Sequence, residues 1–267
     1  MKGNDLKDKK LFKFLTTPTT SRRGFRYEIG KNTDKTPFNP NGDCQAGGLF
    51  FTDLDHLSRY VHYGDWIATV ELEDNEEVYQ EPCGTKYKAH SIIITSIVPL
   101  KKSALLLDLS VCLALVRRCG DMLQFMHQQT PEICTAAVLK NAFALQFVKH
   151  QTHELCLLAV KQHGWVLRYV NQQTPDLCLA AVNHYGNALK CVVEQTPEIC
   201  LAAVKQNGLA LEFVKQQTPE ICLAAVNQNG MALQYVLNQT VEVCLAAVKR
   251  FDMAKMFVRL NLSSEDE

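Results

Sequence analysis

The chain has 267 residues, 47% of them hydrophobic, which suffices for a sizeable core in one large domain or two small ones. Its 28 Lys and Arg balance 28 Asp and Glu, so it lacks the one-signed field of a nucleic-acid or acidic-membrane binder, and no nucleic-acid partner is expected. No window approaches the roughly 18 consecutive apolar residues of a membrane span, and Met1 to Leu15 lacks the apolar run and small-residue cleavage site of a secretory signal. The expectation is a cytoplasmic chain without membrane contact.

Residues 1–23, which mix lysines with Leu11, Phe12, Phe14 and Leu15, are expected to be a flexible basic N-terminus. Residues 24–102 follow as a small α+β domain with strand-like runs at Phe25 to Ile29, Leu49 to Phe51, Trp66 to Leu72, Glu77 to Gln80 and Ser91 to Val98. Thr52 or Asp53 is placed to cap a helix from Asp53 to Val61, and Asn32 to Gly48, with its Asn39 to Gly42 turn, reads as an exposed loop. His56, His62 and His90 could meet Cys44 or Cys83 around zinc, but none has the paired spacing of such a site. No metal or cofactor is expected. The acidic run Glu71 to Glu81 reads as a solvated face.

From residue 103 to 260 the chain repeats itself every 22 residues. The unit, clearest from Thr196 and Thr218, is Thr-Pro-Glu-Ile-Cys-Leu-Ala-Ala-Val-Lys-Gln-Asn-Gly-x-Ala-Leu-x-Phe-Val-x-x-Gln. Thr130, Thr152, Thr174, Thr196, Thr218 and Thr240 open six units, and a degenerate unit near Asp108, with Cys112 in register, makes seven. Thr as cap, Pro in the first turn and Glu at the positive end of the dipole start a helix A. It is expected to stop at Gly164, Gly186, Gly208 and Gly230 in a left-handed conformation that glycine adopts at least cost. A shorter helix B, Ala-Leu-x-Phe-Val, then returns to the next Thr. A pair of helices this short cannot bury its own apolar residues, so the units must stack as an α-solenoid with one shared core. Residues 261–267, with Ser263 to Glu267, read as an acidic disordered tail.

Seven of the 11 cysteines sit at one position of the repeat. Equivalent residues of stacked helices lie roughly 8–10 Å apart, whereas a disulfide needs Cα atoms within about 4.4–6.8 Å. Cys134, Cys156, Cys178, Cys200, Cys222 and Cys244 are therefore expected in the core as compact hydrophobes. Gln129, Gln151, Gln173, Gln195, Gln217 and Gln239 precede each capping Thr, where an amide can satisfy free carbonyls at the end of helix B.

What changes from unit to unit carries specificity. The first, fourth and eighth residues after the glycine position are expected on one face of helix B: Phe143, Gln146 and His150; Trp165, Arg168 and Gln172; Asn187, Lys190 and Glu194; Leu209, Glu212 and Gln216; Met231, Gln234 and Asn238. Large apolar side chains beside Arg and Glu make the composition of an interaction surface. The alternative is that the apolar members pack on the neighbouring unit.

The Thr-Pro-Glu-Ile-Cys-Leu-Ala-Ala-Val units resemble the helical-repeat domain of unknown function abundant in giant DNA viruses. Gly24-Phe-Arg-Tyr-Glu-Ile-Gly30, Gly47-Gly-Leu-Phe-Phe-Thr52 and Lys86-Tyr-Lys-Ala-His-Ser-Ile-Ile-Ile94 are similar to the module ahead of ankyrin repeats in mimivirus-like proteins. Together they imply a giant-virus protein acting in the cytoplasm of the host cell. Gly47 to Tyr60 also resembles the poly-ADP-ribose polymerase motif, with departures: Phe50 stands in the place of the stacking Tyr, no His-Gly pair precedes it, and Lys86 to His90 offers no catalytic acid. The reading is a non-enzymatic, monomeric scaffold for a host or viral protein partner. Its rival is a domain that binds a nucleotide such as NAD, with ADP-ribosyltransferase-like shape and no activity, beside repeats that recruit a substrate.

Overall fold

The computed structural model describes residues 1–40 and 46–260. Cys44, part of the Asn39 to Gly42 turn and the acidic tail lie outside the described residues. The chain forms two compact units, Met1–Ala136 and Ala137–Glu267.

The first unit is built on a seven-stranded antiparallel sheet in the order β2-β7-β4-β1-β3-β6-β5. The strands are β1 (Leu11–Leu15), β2 (Gly30–Thr33), β3 (Leu49–Asp53), β4 (Trp66–Glu71), β5 (Val78–Gln80), β6 (Tyr87–Ala89) and β7 (Ser91–Pro99). β1 overturns the flexible N-terminus: it lies between β3 and β4 with all five residues buried. A strand covered on both faces needs a run of apolar residues rather than alternation, and Leu-Phe-Lys-Phe-Leu supplies one that the surrounding lysines hide from a composition reading. Phe25 to Ile29 is not a strand. Tyr27 is instead buried in the core with Leu15, Leu49, Phe51, Ile92 and Ile94, and pairing with β7 begins only at Gly30. The expected helix after β3 is two 3-10 helices, Leu54–Arg59 and Val61–Tyr63, and of the two candidate caps it is Asp53 that accepts from the His56 amide.

Seven α-helices of ten residues follow: α1 (Leu109–Arg118), α2 (Pro131–Lys140), α3 (His153–Gln162), α4 (Pro175–His184), α5 (Pro197–Gln206), α6 (Pro219–Gln228) and α7 (Val241–Arg250). In the second unit neighbours in chain order stack, α3 on α4 through to α6 on α7. The Thr152, Thr196, Thr218 and Thr240 hydroxyls cap their helices, accepting from the amide three residues on at 3.3 Å. Thr174 differs, its hydroxyl donating to Asp176 Oδ1 at 2.5 Å. The helices bury the same four positions, in α5 Ile199, Cys200, Ala203 and Val204, except that α7 leaves the fourth, Val248, half-buried.

Helix B is a six-residue 3-10 helix in every unit, for example Gly208–Phe213 and Gly230–Tyr235. The glycines that open it do not end helix A in a left-handed conformation. None of Gly164, Gly186, Gly208 and Gly230 has positive φ, and each helix A stops on the preceding residue in extended backbone. What excludes a side chain is proximity: a Cβ on these four glycines would lie 2.4–2.6 Å from the carbonyl oxygens of Ala181, Ala203, Ala225 and Ala247 in the next unit.

Candidate interaction surface

Two ladders of glutamine hold the variable surface in place. Gln217 Nε2 donates to the Tyr235 carbonyl at 2.8 Å while its Oε1 accepts from the Leu237 amide at 2.9 Å. One amide side chain thus pairs with the backbone of the next unit as a neighbouring strand would. Gln151, Gln173, Gln195 and Gln239 repeat this 18 and 20 residues ahead, and several also reach a carbonyl of their own unit, as Gln151 does at Leu145. The glutamines thus satisfy carbonyls of their own helix B, as their position predicts, and carbonyls of the following unit as well. The cysteine joins the same junction: Cys222 Sγ donates to Gln217 Oε1 at 3.6 Å, with equivalents at Cys156, Cys178, Cys200 and Cys244. These thiols and Cys134 are buried, and burial raises their pKa above the usual thiol value, which keeps them protonated and able to donate.

The second ladder uses the last residue of helix A. Gln206 Oε1 accepts from the Gly186 amide and Gln228 Oε1 from the Gly208 amide, both at 2.6 Å. Removing one clasp strands a backbone donor and an acceptor at a repeat junction, each costing about 1–2 kcal/mol. Gln217→Ala is therefore expected to destabilise the second unit by about 2–3 kcal/mol, measured by urea unfolding, with Gln216→Ala, one residue away and exposed, close to neutral.

On this frame the variable side chains form a ridge. Phe143 packs on His163 (ring centroids 4.9 Å) and edge-on to Tyr169 (6.3 Å), and Trp165 packs on Tyr185 at 5.6 Å. Asn187 Oδ1 accepts from Asn207 Nδ2 at 2.8 Å. Phe143, Trp165 and Asn187 thus lean on the residue before the glycine position of the next unit, and Phe143, Trp165, Leu209 and Met231 are all half-buried. Of the fourth-position residues, Gln146, Arg168, Lys190 and Glu212 are exposed and Gln234 half-buried. Arg168 lies over the Trp165 and Tyr169 rings at 5.7 and 5.9 Å, and Lys190 over Phe213 at 5.7 Å. Gln146 and Gln234 fold back on the carbonyls of Phe143 and Met231.

The eighth-position residues do not share that helical face. Gln172 and Glu194, with His150, Gln216 and Asn238, lie beyond the 3-10 helices, exposed in the bends before the next Thr. A 3-10 helix with three residues per turn eclipses the first and fourth residues but ends before the eighth. His163, Tyr185 and Asn207 belong to the ridge and were not anticipated; their variability at one fixed register was the available signal.

In the first unit, His56 Nδ1 pairs with Asp53 Oδ1 at 2.6 Å, His62 packs edge-on to Tyr63, and Cys83 Sγ lies 3.1 Å from Thr85 Oγ1. Among the described residues no three of His, Cys, Asp and Glu gather as a metal-ligand set. No helix among them is long and apolar enough to cross a membrane.

Residues 174–218 and 196–240 match the family described as a domain of unknown function (DUF4116). The chain is also similar to putative ankyrin repeat proteins of Acanthamoeba polyphaga mimivirus. It is 32% identical to R868 over 90 residues, covering 32% of this chain and 45% of that protein. It is 34% identical to R896 over 87 residues, covering 31% and 26%, and 37% identical to R229 over 46 residues, covering 17% and 15%. The chain thus spans less than half the length of these relatives. No solved structure matches it. The resemblance to giant-virus proteins with a repeat domain rests on these matches together.

Proposed function

We propose that the protein is a non-enzymatic interaction scaffold whose ridge of 3-10 helices engages a protein partner. The observation that carries this reading is the Trp165, Tyr185 and Arg168 cluster: a half-buried and an exposed aromatic ring with a stacked guanidinium, the side chains that dominate binding energy at protein interfaces, stand on a backbone repeated unit after unit. The frame is set by hydrogen-bonded glutamines and buried glycines, so little ordering entropy remains to be lost on binding. Its mimivirus relatives are named for repeats, which supports a scaffold rather than an enzyme. On this reading the chain acts as a monomer in the host cytoplasm, on a host or viral protein, without nucleic acid or membrane.

The test is affinity capture from an Acanthamoeba lysate with three baits: the intact chain, one carrying Trp165→Glu, Arg168→Glu, Lys190→Glu and Glu212→Lys, and one altered at Glu198, Lys205 and Glu220 on the exposed face of helix A. Circular dichroism first establishes that all three fold alike. A protein held by the first and third baits and released by the second, then bound by the purified chain with at least tenfold loss in the ridge variant, supports the reading. Equal capture by all three overturns it.

A further inference from the structure

The sheet domain carries a pocket of about 620 Å³ that the repeat-based reading leaves unused. Its size falls within the roughly 300–1,000 Å³ of small-molecule sites. Four cationic side chains line it, Lys13, Arg22, Arg23 and Lys86, against one carboxylate, Asp34. Asp34 already accepts from the amides of Thr36 and Gly48 at 2.9 and 2.7 Å, and Lys86 pairs with Glu81 at 3.4 Å.

The cations are drawn together by aromatic faces. Lys86 Nζ sits 4.2 Å and Arg23 5.4 Å from the centre of the Phe50 ring, and Arg22 lies 5.2 Å from that of Tyr63. Lys13 projects from the central strand into the wall, 8% exposed, donating to the Phe50 carbonyl and lying 4.6 Å from the Tyr27 ring centre. Burial first, then the charges of Lys86 and Arg23, pull its ammonium down to about 7. Gathering like charges in a partly dry pocket weakens a fold and is relieved by an anion there. The half-buried Phe50, Tyr60 and Tyr63 offer ring faces on which a planar group can stack.

We propose that this pocket is a binding site for a phosphorylated, ring-bearing small molecule of the nucleotide class. Its phosphate meets Lys13, Arg23 and Lys86 through charge-assisted hydrogen bonds, and its ring lies against Phe50 and the two tyrosines. Gly47 and Gly48, which also line the pocket, hold φ of +88° and +133°, and a Cβ on them would run into the Pro37 carbonyl oxygen and the Lys88 side chain. The site binds whether or not the ridge has a partner, so the two readings fail separately.

The experiment is titration calorimetry on the full chain with AMP, adenosine and inorganic phosphate as probes. AMP is expected to bind at least tenfold more tightly than either fragment, and Arg23→Gln and Lys86→Gln each to weaken it about tenfold, the exposed Arg23 with an unchanged melting temperature and Lys86 with a lowered one, because its ammonium also faces the buried Glu81. Lys13→Met is expected to hold or raise the melting temperature while weakening AMP, which separates a binding role from a structural one. No heat with AMP, equal affinity for AMP and either fragment, or AMP binding indifferent to all three substitutions would overturn the proposal.

Discussion

Gly208→Ala is expected to destabilise the second unit by about 3 kcal/mol, the upper part of the range for forcing a methyl into a packed junction. The added Cβ would lie 2.4 Å from the Ala225 carbonyl oxygen, 2.8 Å from Gln228 Oε1 and 3.0 Å from the Asn229 Cβ. The first contact is with backbone, which cannot swing aside as a side-chain end can. That carbonyl also accepts from the Asn229 amide at 2.9 Å, closing α6, and Gln228 Oε1 holds the Gly208 amide. Relief therefore requires one repeat to move off the next, stretching bonds of both glutamine ladders. The last unit, with no further repeat against it among the described residues, carries Asp252 at this register. The second carries Ala142, so one junction tolerates a methyl, and Ala142→Gly is expected to cost only about 0.5–1 kcal/mol through backbone entropy. Urea unfolding of both variants is the check. A neutral Gly208→Ala would mean that the junctions yield readily and that close approach does not select the glycine.

The repeat was legible because its Thr-Pro start, its cysteine and its glycine recur in register, so a single chain supplied seven readings of one unit. Periodicity locates a residue within the unit but not its partner. Gln217 was correctly assigned to free backbone groups, yet those at Tyr235 and Leu237 belong to the following unit, a fact of packing that no spacing contains. The glycines misled for the same reason: before a turn, a glycine needed for its torsion and one needed for its lack of a side chain read alike. Helix B could not be told from α because six residues give only two turns of 3-10. With that geometry went the eighth position of the expected stripe. In the sheet domain, β3, β4, β5 and β7 follow from β-branched and aromatic runs, whereas β1 was concealed by Lys9, Lys10 and Lys13. Lys9 and Lys13 serve the folded domain through Asp53 and the pocket, respectively.

Asp53→Ala is expected to cost the sheet domain about 3–4 kcal/mol, the loss that follows removing one member of a buried charged network. Asp53, 2% exposed at the end of β3, collects four hydrogen bonds. Lys9 Nζ and the Tyr87 hydroxyl reach Oδ2 at 2.8 and 3.0 Å, and the His56 amide and Nδ1 reach Oδ1 at 3.1 and 2.6 Å. It thereby ties the segment before β1, the first 3-10 helix and β6 to one carboxylate. Lys9 is 43% exposed and can turn to water when the partner is lost, so Lys9→Met should cost much less, about 1 kcal/mol. Burial alone raises the Asp53 pKa, but the bonds from Lys9, His56 and Tyr87 outweigh it and hold the group below the ordinary carboxylate value. A carboxyl depressed in the folded state stabilises above its unfolded pKa, about 3.9, and the contribution fades as pH falls through the folded value. The stability gap between the native chain and Asp53→Asn should accordingly be widest near neutrality and narrow below pH ~4. Thermal unfolding of both chains across that range measures it. A gap that stays constant with pH would place the loss in side-chain packing and not in the charge.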